Sequence, residues 1–259
     1  MIEIRDYIFS RLNRVDCHVN LVGINSKKEY PGFADGSIAM VNNDLMYSDT
    51  PLLPYIDELY QIKNDSHIDF HIALIGKDAD ELATICEKYP AEFIGEVKCY
   101  KHFITKEKHE EHYFSDTSIA LDERFIDIPM FVHVDLINEE AQKILEDILS
   151  VNLDRPIILC HCGINKLDDK DSAFERAINL QHKYNNLWLE ISWSALFYIK
   201  DDHRKMSRID TDRVLFGTDF TKFSSPDIIH KTLKYIDYWT STINVRRNVN
   251  KLLKNPKFD

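Results

Sequence analysis

Glycine is scarce in this sequence, with seven among 259 residues, and no G-x-G-x-x-G pattern is present. The lack of that pattern argues against an open, doubly wound sheet that binds a dinucleotide. No apolar run approaches the roughly 18–20 residues that a transmembrane helix needs, and no signal-peptide core follows the charged first residues. We therefore expect a cytoplasmic protein with no membrane partner.

Positive charge is also scarce, because the chain has 32 Lys and Arg residues but 43 Asp and Glu residues, for a net charge of −11. This balance argues against a broad nucleic-acid-binding face and favours a small-molecule substrate. Only five cysteines are present, and we interpret them as reduced thiols. Cys160 and Cys162 flank a histidine, but no second Cys pair completes a structural zinc site. The oligomeric state stays open, and a homo-oligomer is compatible with the sequence.

Short apolar runs alternate with amphipathic segments along the chain, which is typical of parallel βα units. Asn138 and Ser172 are expected to cap two of the helices. Eight such strands predict an α/β fold, a (β/α)8 TIM barrel, as a single domain over residues 1–259. The segment 21–49 after the first strand is long and is expected to distort the barrel and to carry specificity. The predicted strands are 14–19, 38–42, 68–75, 92–98, 129–134, 156–161, 187–192 and 213–218, of which the second reads almost equally well as loop.

Five of the predicted strands carry or end in a polar residue with metal-ligand chemistry. A barrel brings the C-terminal ends of its strands around one mouth, so these side chains are expected to converge. Imidazole and carboxylate are the usual ligands of zinc and similar divalent metals, and buried carboxylates need a counter-charge. A bound metal activates water, and an adjacent carboxylate can move the proton. The residues are His18, Glu96, His133, His161 and Asp219.

This set resembles the amidohydrolase superfamily, in particular its TatD-type hydrolases and the amidohydrolase 2 group that includes aromatic-acid decarboxylases. The resemblance runs from Asp16 to Leu252 and is most specific at residues 156–163 and 213–220, with a further match at 248–252. That superfamily has His-x-His on strand one, Glu or carboxylated Lys on strand four, His on strands five and six, and Asp on strand eight. The resemblance implies the metal ligands His18, Asn20, Glu96, His133, His161 and Asp219, with Asp219 also catalytic.

The sequence departs from the family at Asn20, where the second histidine of strand one would stand. An amide oxygen is a neutral and weaker ligand, so one ion or two ions remain open. Zinc is the expected metal, with manganese or iron as alternatives. Lys98 lies two residues beyond Glu96, on the same strand face. Either Glu96 is the strand-four ligand, or Lys98 is a carbamate bridge or substrate clamp.

Substrate contacts are expected from residues that follow strand ends: Lys98, Tyr100, His102 and Trp193. Trp193 could equally pack a helix onto the barrel. His71, on the third strand, either faces the mouth or packs against a helix. His109 and His112 are expected on a solvated loop or helix face.

The resemblance implies a metal-dependent hydrolase that uses a metal-activated water to cleave an ester, amide or phosphoester bond of a small substrate. One alternative is a metal-dependent decarboxylase of a small aromatic acid, which needs a basic clamp for the carboxylate. Lys98 is available for that role, but no Arg clearly follows a strand end, which favours hydrolysis. A metal-free lactonase and a non-catalytic barrel are the remaining alternatives.

Overall fold

The computed structural model describes most of the chain. It covers residues 15–21, 36–41, 51–65, 69–105, 108–115, 117–151, 153–164, 169–219, 226–240 and 243–253. Within these ranges only the backbone is described for residues 20–21, 65, 69, 100–105, 108–115, 226–230, 233 and 240.

Eight parallel strands form a nearly closed barrel, which confirms the predicted (β/α)8 fold. The strands are β1 (Val15–Leu21), β2 (Gly36–Val41), β3 (Asp69–Leu74), β4 (Phe93–Thr105), β6 (Met130–His133), β7 (Ile157–Leu159), β8 (Leu187–Ile191) and β9 (Val214–Phe216), and they lie side by side in this order. The predicted second strand is confirmed as well, since β2 pairs with both β1 and β3.

A hairpin extends the fourth strand beyond the barrel. β4 continues past Lys98 to Thr105 and pairs antiparallel with β5 (Lys108–Ser115). The expectation that His109 and His112 lie on a loop or helix was therefore wrong. Two paired strands satisfy backbone hydrogen bonds along their shared edge, so this charged stretch forms strands without a clear apolar pattern.

Helices follow most of the strands and cover the barrel. Asn138 caps α4 (Glu139–Val151) as predicted, because its Oδ1 accepts from the N–H of Ala141 at 2.9 Å. Asp169, rather than Ser172, caps α5 (Lys170–Lys183), since its Oδ1 accepts from the N–H groups of Asp171 and Ser172. The helices are α1 (Leu53–Asp65), α2 (Ala79–Lys88), α3 (Thr117–Leu121), α4 (Glu139–Val151), α5 (Lys170–Lys183), α6 (Trp193–Ile199), α7 (His203–Met206), α8 (Pro226–Thr240) and α9 (Val245–Leu253).

The apolar core lies inside the barrel and between its strands and helices. Phe131, Leu159 and Phe216 are fully buried, as are most side chains of the short strands that carry them. All five cysteines are free thiols. Among the helices of the described part, none is long and apolar enough to cross a membrane.

Candidate metal centre

Four polar side chains from β1, β4 and the turns after β7 and β9 meet at the C-terminal mouth of the barrel. The Nε2 atom of His18 lies 3.6 Å from Oδ1 of Asp219 and 4.0 Å from Oε2 of Glu96. The Nε2 atom of His161 lies 3.8 Å from Oε1 of Glu96. The imidazoles of His18 and His161 stack with centroids 5.2 Å apart. The carboxylate of Glu96 therefore faces both imidazoles, and Asp219 lies beside the Nε2 atom of His18.

His133, at the end of β6, stands between two carboxylates. Its Nδ1 is in hydrogen-bond contact with Glu96, and its Nε2 lies 3.2 Å from Oδ1 of Asp135. Its ring meets that of His161 edge-on, with centroids 4.8 Å apart. Glu96, His133 and His161 together offer three ligand atoms within 4.8 Å of one another. His133 therefore contacts Glu96 and His161, the two residues that form the candidate metal centre together with His18 and Asp219.

The backbone after β7 and β9 is bent sharply where it presents its ligands. His161 has φ 54°, Cys162 has φ 52° and Asp219 has φ 50°, which is the left-handed region that non-glycine residues rarely adopt. Such residues cost about 1–3 kcal/mol each and persist where the surrounding structure holds them. Here a short turn, Cys160–Gly163, carries His161, and the N–H of Asp219 donates to the carbonyl of His18 at 2.9 Å. The turns thus aim both side chains into the mouth.

The charges at the site are strongly coupled. Burial would lower the pKa of His18, but the carboxylates of Glu190, Asp219 and Glu96 together outweigh it, and the pKa rises to about 10. Burial likewise opposes the charged form of His133, but the carboxylates of Glu96 and Asp135 together raise its pKa to about 9. Burial would raise the pKa of Glu96, yet the charges of His133 and Lys98 hold it well below its ordinary value. Without another cation, imidazolium groups balance the buried carboxylates.

His161 and Asp219 respond chiefly to their burial. Burial lowers the pKa of His161 and keeps its imidazole neutral, which is the form that binds a metal. Burial also raises the pKa of Asp219 above its ordinary value. A carboxylate whose pKa is shifted toward neutrality is suited to accepting and returning a proton.

The geometry of these donors fits a divalent cation. The Nε2 atom of His18, which faces Glu96 and Asp219, is buried without a hydrogen-bond partner among the described residues. Ligands at about 2.0–2.1 Å from a tetrahedral zinc ion lie about 3.3–3.4 Å apart. The separations of 3.6 Å and 3.8 Å between facing nitrogen and oxygen atoms are wider by only a few tenths of an ångström. A cation here would also balance the buried carboxylates.

The remaining predicted residues fall into two groups. Lys98 is half-buried, lies in register with His133 and influences Glu96 electrostatically. Trp193 is half-buried at the start of α6, directly after β8. The side chains of Asn20, Tyr100 and His102 lie outside the described residues, although their backbones belong to β1 and β4.

His71 lies away from the mouth. Its Nδ1 is 3.3 Å from Oε1 of Glu92, which precedes β4, and its ring contacts Phe93 edge-on. Both neighbours stand at the N-terminal end of β4. The third strand therefore contributes no histidine to the group around Glu96.

Sequence reasoning missed four buried polar residues around the site: Asp16, Asp135, Glu190 and Ser192. Glu190 and Ser192 lie behind His161, and Asp135 contacts His133. A signal was available for Glu190, since a carboxylate inside the apolar run Leu187–Ile191 is costly to bury without a partner. Asp16 is likewise a buried carboxylate within a strand, β1.

Neither a protein-family model nor a curated protein matches the sequence. Solved structures match it by fold. An amidohydrolase from Burkholderia multivorans with bound zinc has a TM-score of 0.56 and 13% identity, covering 95% of this chain and 100% of that chain. A 2,6-dihydroxybenzoate decarboxylase from Rhizobium has a TM-score of 0.59 and 13% identity, covering 94% and 99%.

A third structure, a dihydroxybenzoic acid decarboxylase from Polaromonas sp. JS666, contains manganese and the inhibitor 2-nitroresorcinol. It has a TM-score of 0.58 and 11% identity, covering 94% of this chain and 97% of that chain. The neighbours are amidohydrolase-superfamily enzymes, so the resemblance seen in the sequence is confirmed at the level of the fold.

Proposed function

We propose that this chain is a metal-dependent hydrolase of the amidohydrolase superfamily, which cleaves an ester, amide or phosphoester bond of a small substrate. The observation that carries the proposal is the convergence of His18, His161, Glu96 and Asp219 at the barrel mouth, with facing nitrogen and oxygen atoms 3.6–4.0 Å apart. One superfamily neighbour of the same fold contains zinc and another contains manganese, which supports a divalent cation.

In this proposal the Nε2 atoms of His18 and His161 hold the metal with Glu96 and Asp219, and His133 assists beside Glu96. Asn20, two residues beyond His18 on β1, adds a neutral oxygen. Zinc is our first expectation. When bound, such a cation polarises a substrate oxygen and makes water acidic enough to react near neutral pH.

Asp219 is the proposed proton carrier. Its side chain is 15% exposed, whereas those of His18 and Glu96 are 0% and 4% exposed, so among these three it reaches furthest toward an incoming substrate. A carboxylate in this place can take the proton from the attacking water and deliver it to the leaving group. The hydrogen bond between its N–H and the carbonyl of His18 keeps the carboxylate beside the imidazole.

Substrate recognition is assigned to Lys98, Tyr100, His102 and Trp193. Lys98 is the clearest of these, because it lies beside His133 and is half-buried at the rim. A cation in this place suits an anionic substrate group such as a carboxylate or phosphate. The loops above the mouth set specificity in barrels of this kind.

Decarboxylation of a small aromatic acid is the second candidate. Two of the neighbours described above are dihydroxybenzoate decarboxylases, and Lys98 offers the single cation that a carboxylate clamp would need. Hydrolysis remains our first choice because no arginine of the sequence clearly follows a predicted strand end, where a second cation of a carboxylate clamp would be expected.

Metal analysis is the first test. Protein purified without chelator and without a metal-binding tag should contain about one equivalent of zinc by mass spectrometry. The His161→Ala variant should lose that metal, while His182→Ala, which changes an exposed histidine of α5, should keep it. Absence of metal from the wild-type protein, even after soaking with zinc and manganese, would contradict the proposal.

Activity then separates the two reactions. The metal-loaded protein is assayed against nitrophenyl esters, lactones, anilides and nitrophenyl phosphate, and in parallel for carbon dioxide release from 2,6-dihydroxybenzoate. Metal-dependent turnover in the first set supports hydrolysis. Carbon dioxide release that is lost in Lys98→Met, without hydrolytic turnover, would replace it by decarboxylation.

A further inference from the structure

Glu190, in β8, lies directly behind the two stacked imidazoles. Its side chain is fully buried. Its Oε2 lies 3.4 Å from Nδ1 of His18 and 3.7 Å from Nδ1 of His161. The same oxygen accepts a hydrogen bond from the N–H of His161 at 2.9 Å. One carboxylate oxygen therefore touches both histidines on the side opposite to Glu96.

Ser192 connects this carboxylate to the ring of His161. Its Oγ donates to Oε2 of Glu190 at 2.8 Å and lies 2.7 Å from Nδ1 of His161. A serine hydroxyl has a single hydrogen to donate. Because that hydrogen is directed to Glu190, the serine oxygen can only accept from His161, and Nδ1 must carry the proton. The lone pair of His161 is then on Nε2, which faces Glu96.

His18 has the same orientation without an intermediary. Its Nδ1 points to Glu190, and its Nε2 points to Asp219 and Glu96. The planes of the two imidazoles are inclined by 22°, and in both rings Nδ1 lies beside Glu190 whereas Nε2 lies beside Glu96. A carboxylate behind a ligating histidine fixes its tautomer and its ring orientation.

We propose that Glu190 and Ser192 are positioning residues that hold His18 and His161 with Nδ1 inward and the Nε2 lone pair toward the metal. Glu190 acts directly on His18 and, through Ser192, on His161. The part of this inference that concerns metal binding rests on the proposed function. The tautomer of His161 is a property of the protein itself and can be measured without metal.

The matched variants are Ser192→Ala and Ser194→Ala. Both serines are buried, but the hydroxyl of Ser194 donates to the carbonyl of Ile164 and not to a residue of the site. Ser192→Thr keeps a hydroxyl and serves as the rescue variant. Glu190→Gln keeps the size of the side chain but replaces one acceptor oxygen by a donor. Circular dichroism confirms that each variant is folded before it is compared.

The first readout is the tautomer of His161, from long-range ¹H–¹⁵N NMR of metal-free protein labelled with ¹⁵N-histidine. We expect the proton on Nδ1 in the wild type, Ser194→Ala and Ser192→Thr, and a mixture of tautomers in Ser192→Ala. A proton on Nε2 in the wild type, or an unchanged spectrum in Ser192→Ala, overturns the inference, whether or not the protein binds metal.

The second readout is zinc affinity, measured by competition with a chromophoric chelator. Loss of a residue that hydrogen-bonds to a metal-binding histidine typically weakens metal binding by about tenfold to hundredfold. We expect a loss of that size in Ser192→Ala and Glu190→Gln. Ser194→Ala and Ser192→Thr should stay close to the wild type. Wild-type affinity in Glu190→Gln would remove Glu190 from the assignment, whereas failure of the wild type to bind zinc would contradict the proposed function alone.

Discussion

Asp16 and Thr218 join the first and last strands of the barrel, although 202 residues separate them in the chain. The N–H of Thr218 donates to Oδ1 of Asp16 at 2.9 Å, and its hydroxyl donates to Oδ2 at 2.7 Å. Oδ1 of Asp16 also accepts from the N–H of His18 at 3.2 Å. A single buried carboxylate thus joins β1 to the end of β9. It fixes β1, which carries the proposed ligand His18, against Thr218, which directly precedes the proposed ligand Asp219.

Thr218→Val tests this connection. The change preserves the shape of the side chain but removes the hydroxyl, so Oδ2 of buried Asp16 loses its donor. We expect the free energy of unfolding to fall by about 1–3 kcal/mol, measured by urea denaturation. Thr84→Val, on the exposed face of α2, should change it by less than about 0.5 kcal/mol. Equal stabilities for the two variants would show that the pair does not support barrel closure.

Gly217→Ala probes how closely β9 approaches the site. A Cβ at this position would lie 2.4 Å from Cβ of His18 and 2.8 Å from Oε1 of Glu190, too close for any real contact. We expect a loss of about 1–3 kcal/mol in the free energy of unfolding together with weaker zinc binding.

Gly76→Ala is the control for this steric change. A Cβ there would meet the backbone of Leu82 at 2.4 Å, and its nearest neighbours belong to Leu82 and Asp78 and not to a proposed ligand. It should lower stability as well but leave the zinc affinity of the folded protein unchanged. Normal zinc binding in Gly217→Ala would mean that His18 can shift without loss of the site.

Asp219→Asn tests the proton carrier. The amide cannot accept and return a proton, so turnover should fall by about 10²–10⁴-fold while the fold is retained. Steady-state kinetics and thermal denaturation monitored by circular dichroism measure the two effects. Asp212→Asn, at a side chain that is 64% exposed, should alter neither. Full activity in Asp219→Asn would contradict the role of Asp219 as the proton carrier.

Glu92 makes part of the stability dependent on acid. Partial burial would raise its pKa, but the hydrogen bonds to His71 and Lys63 outweigh it and lower the pKa to about 2, from an ordinary value of 4.5. The folded state therefore binds fewer protons than the unfolded state between these values. The stabilisation is complete above about pH 5 and is lost as the pH falls toward 2.

The Glu92→Gln variant makes this contribution measurable. The wild type should exceed the variant in free energy of unfolding at pH 6, and the difference should shrink by about 1 kcal/mol at pH 3, since solvent screens a carboxylate that is 30% exposed. Glu87→Gln, at an exposed position of α2, is the control for the loss of one carboxylate. A pH-independent difference for Glu92→Gln would contradict the assignment.

Much of the barrel was predictable because its signals are local. Several parallel strands are short, mostly apolar runs that are buried on both faces, and the predicted run 187–192 corresponds to β8 at Leu187–Ile191. The convergence of His18, His161 and Asp219 was predictable for a related reason, since residues at the C-terminal ends of barrel strands share one mouth. The β4–β5 hairpin was missed because backbone pairing stabilises it without a clear apolar pattern.

The sequence by itself determined the alternation of strands and helices, and with it which ligand types stand at which strand ends. Only the tertiary structure decided which atoms those ligands present. Glu190 and Ser192 direct the nitrogens of His161, and Asp16 reaches Thr218 across the closure of the barrel. Such contacts join residues far apart in the chain, and they depend on strand register and side-chain rotamers. Local patterns of residue type do not encode either quantity.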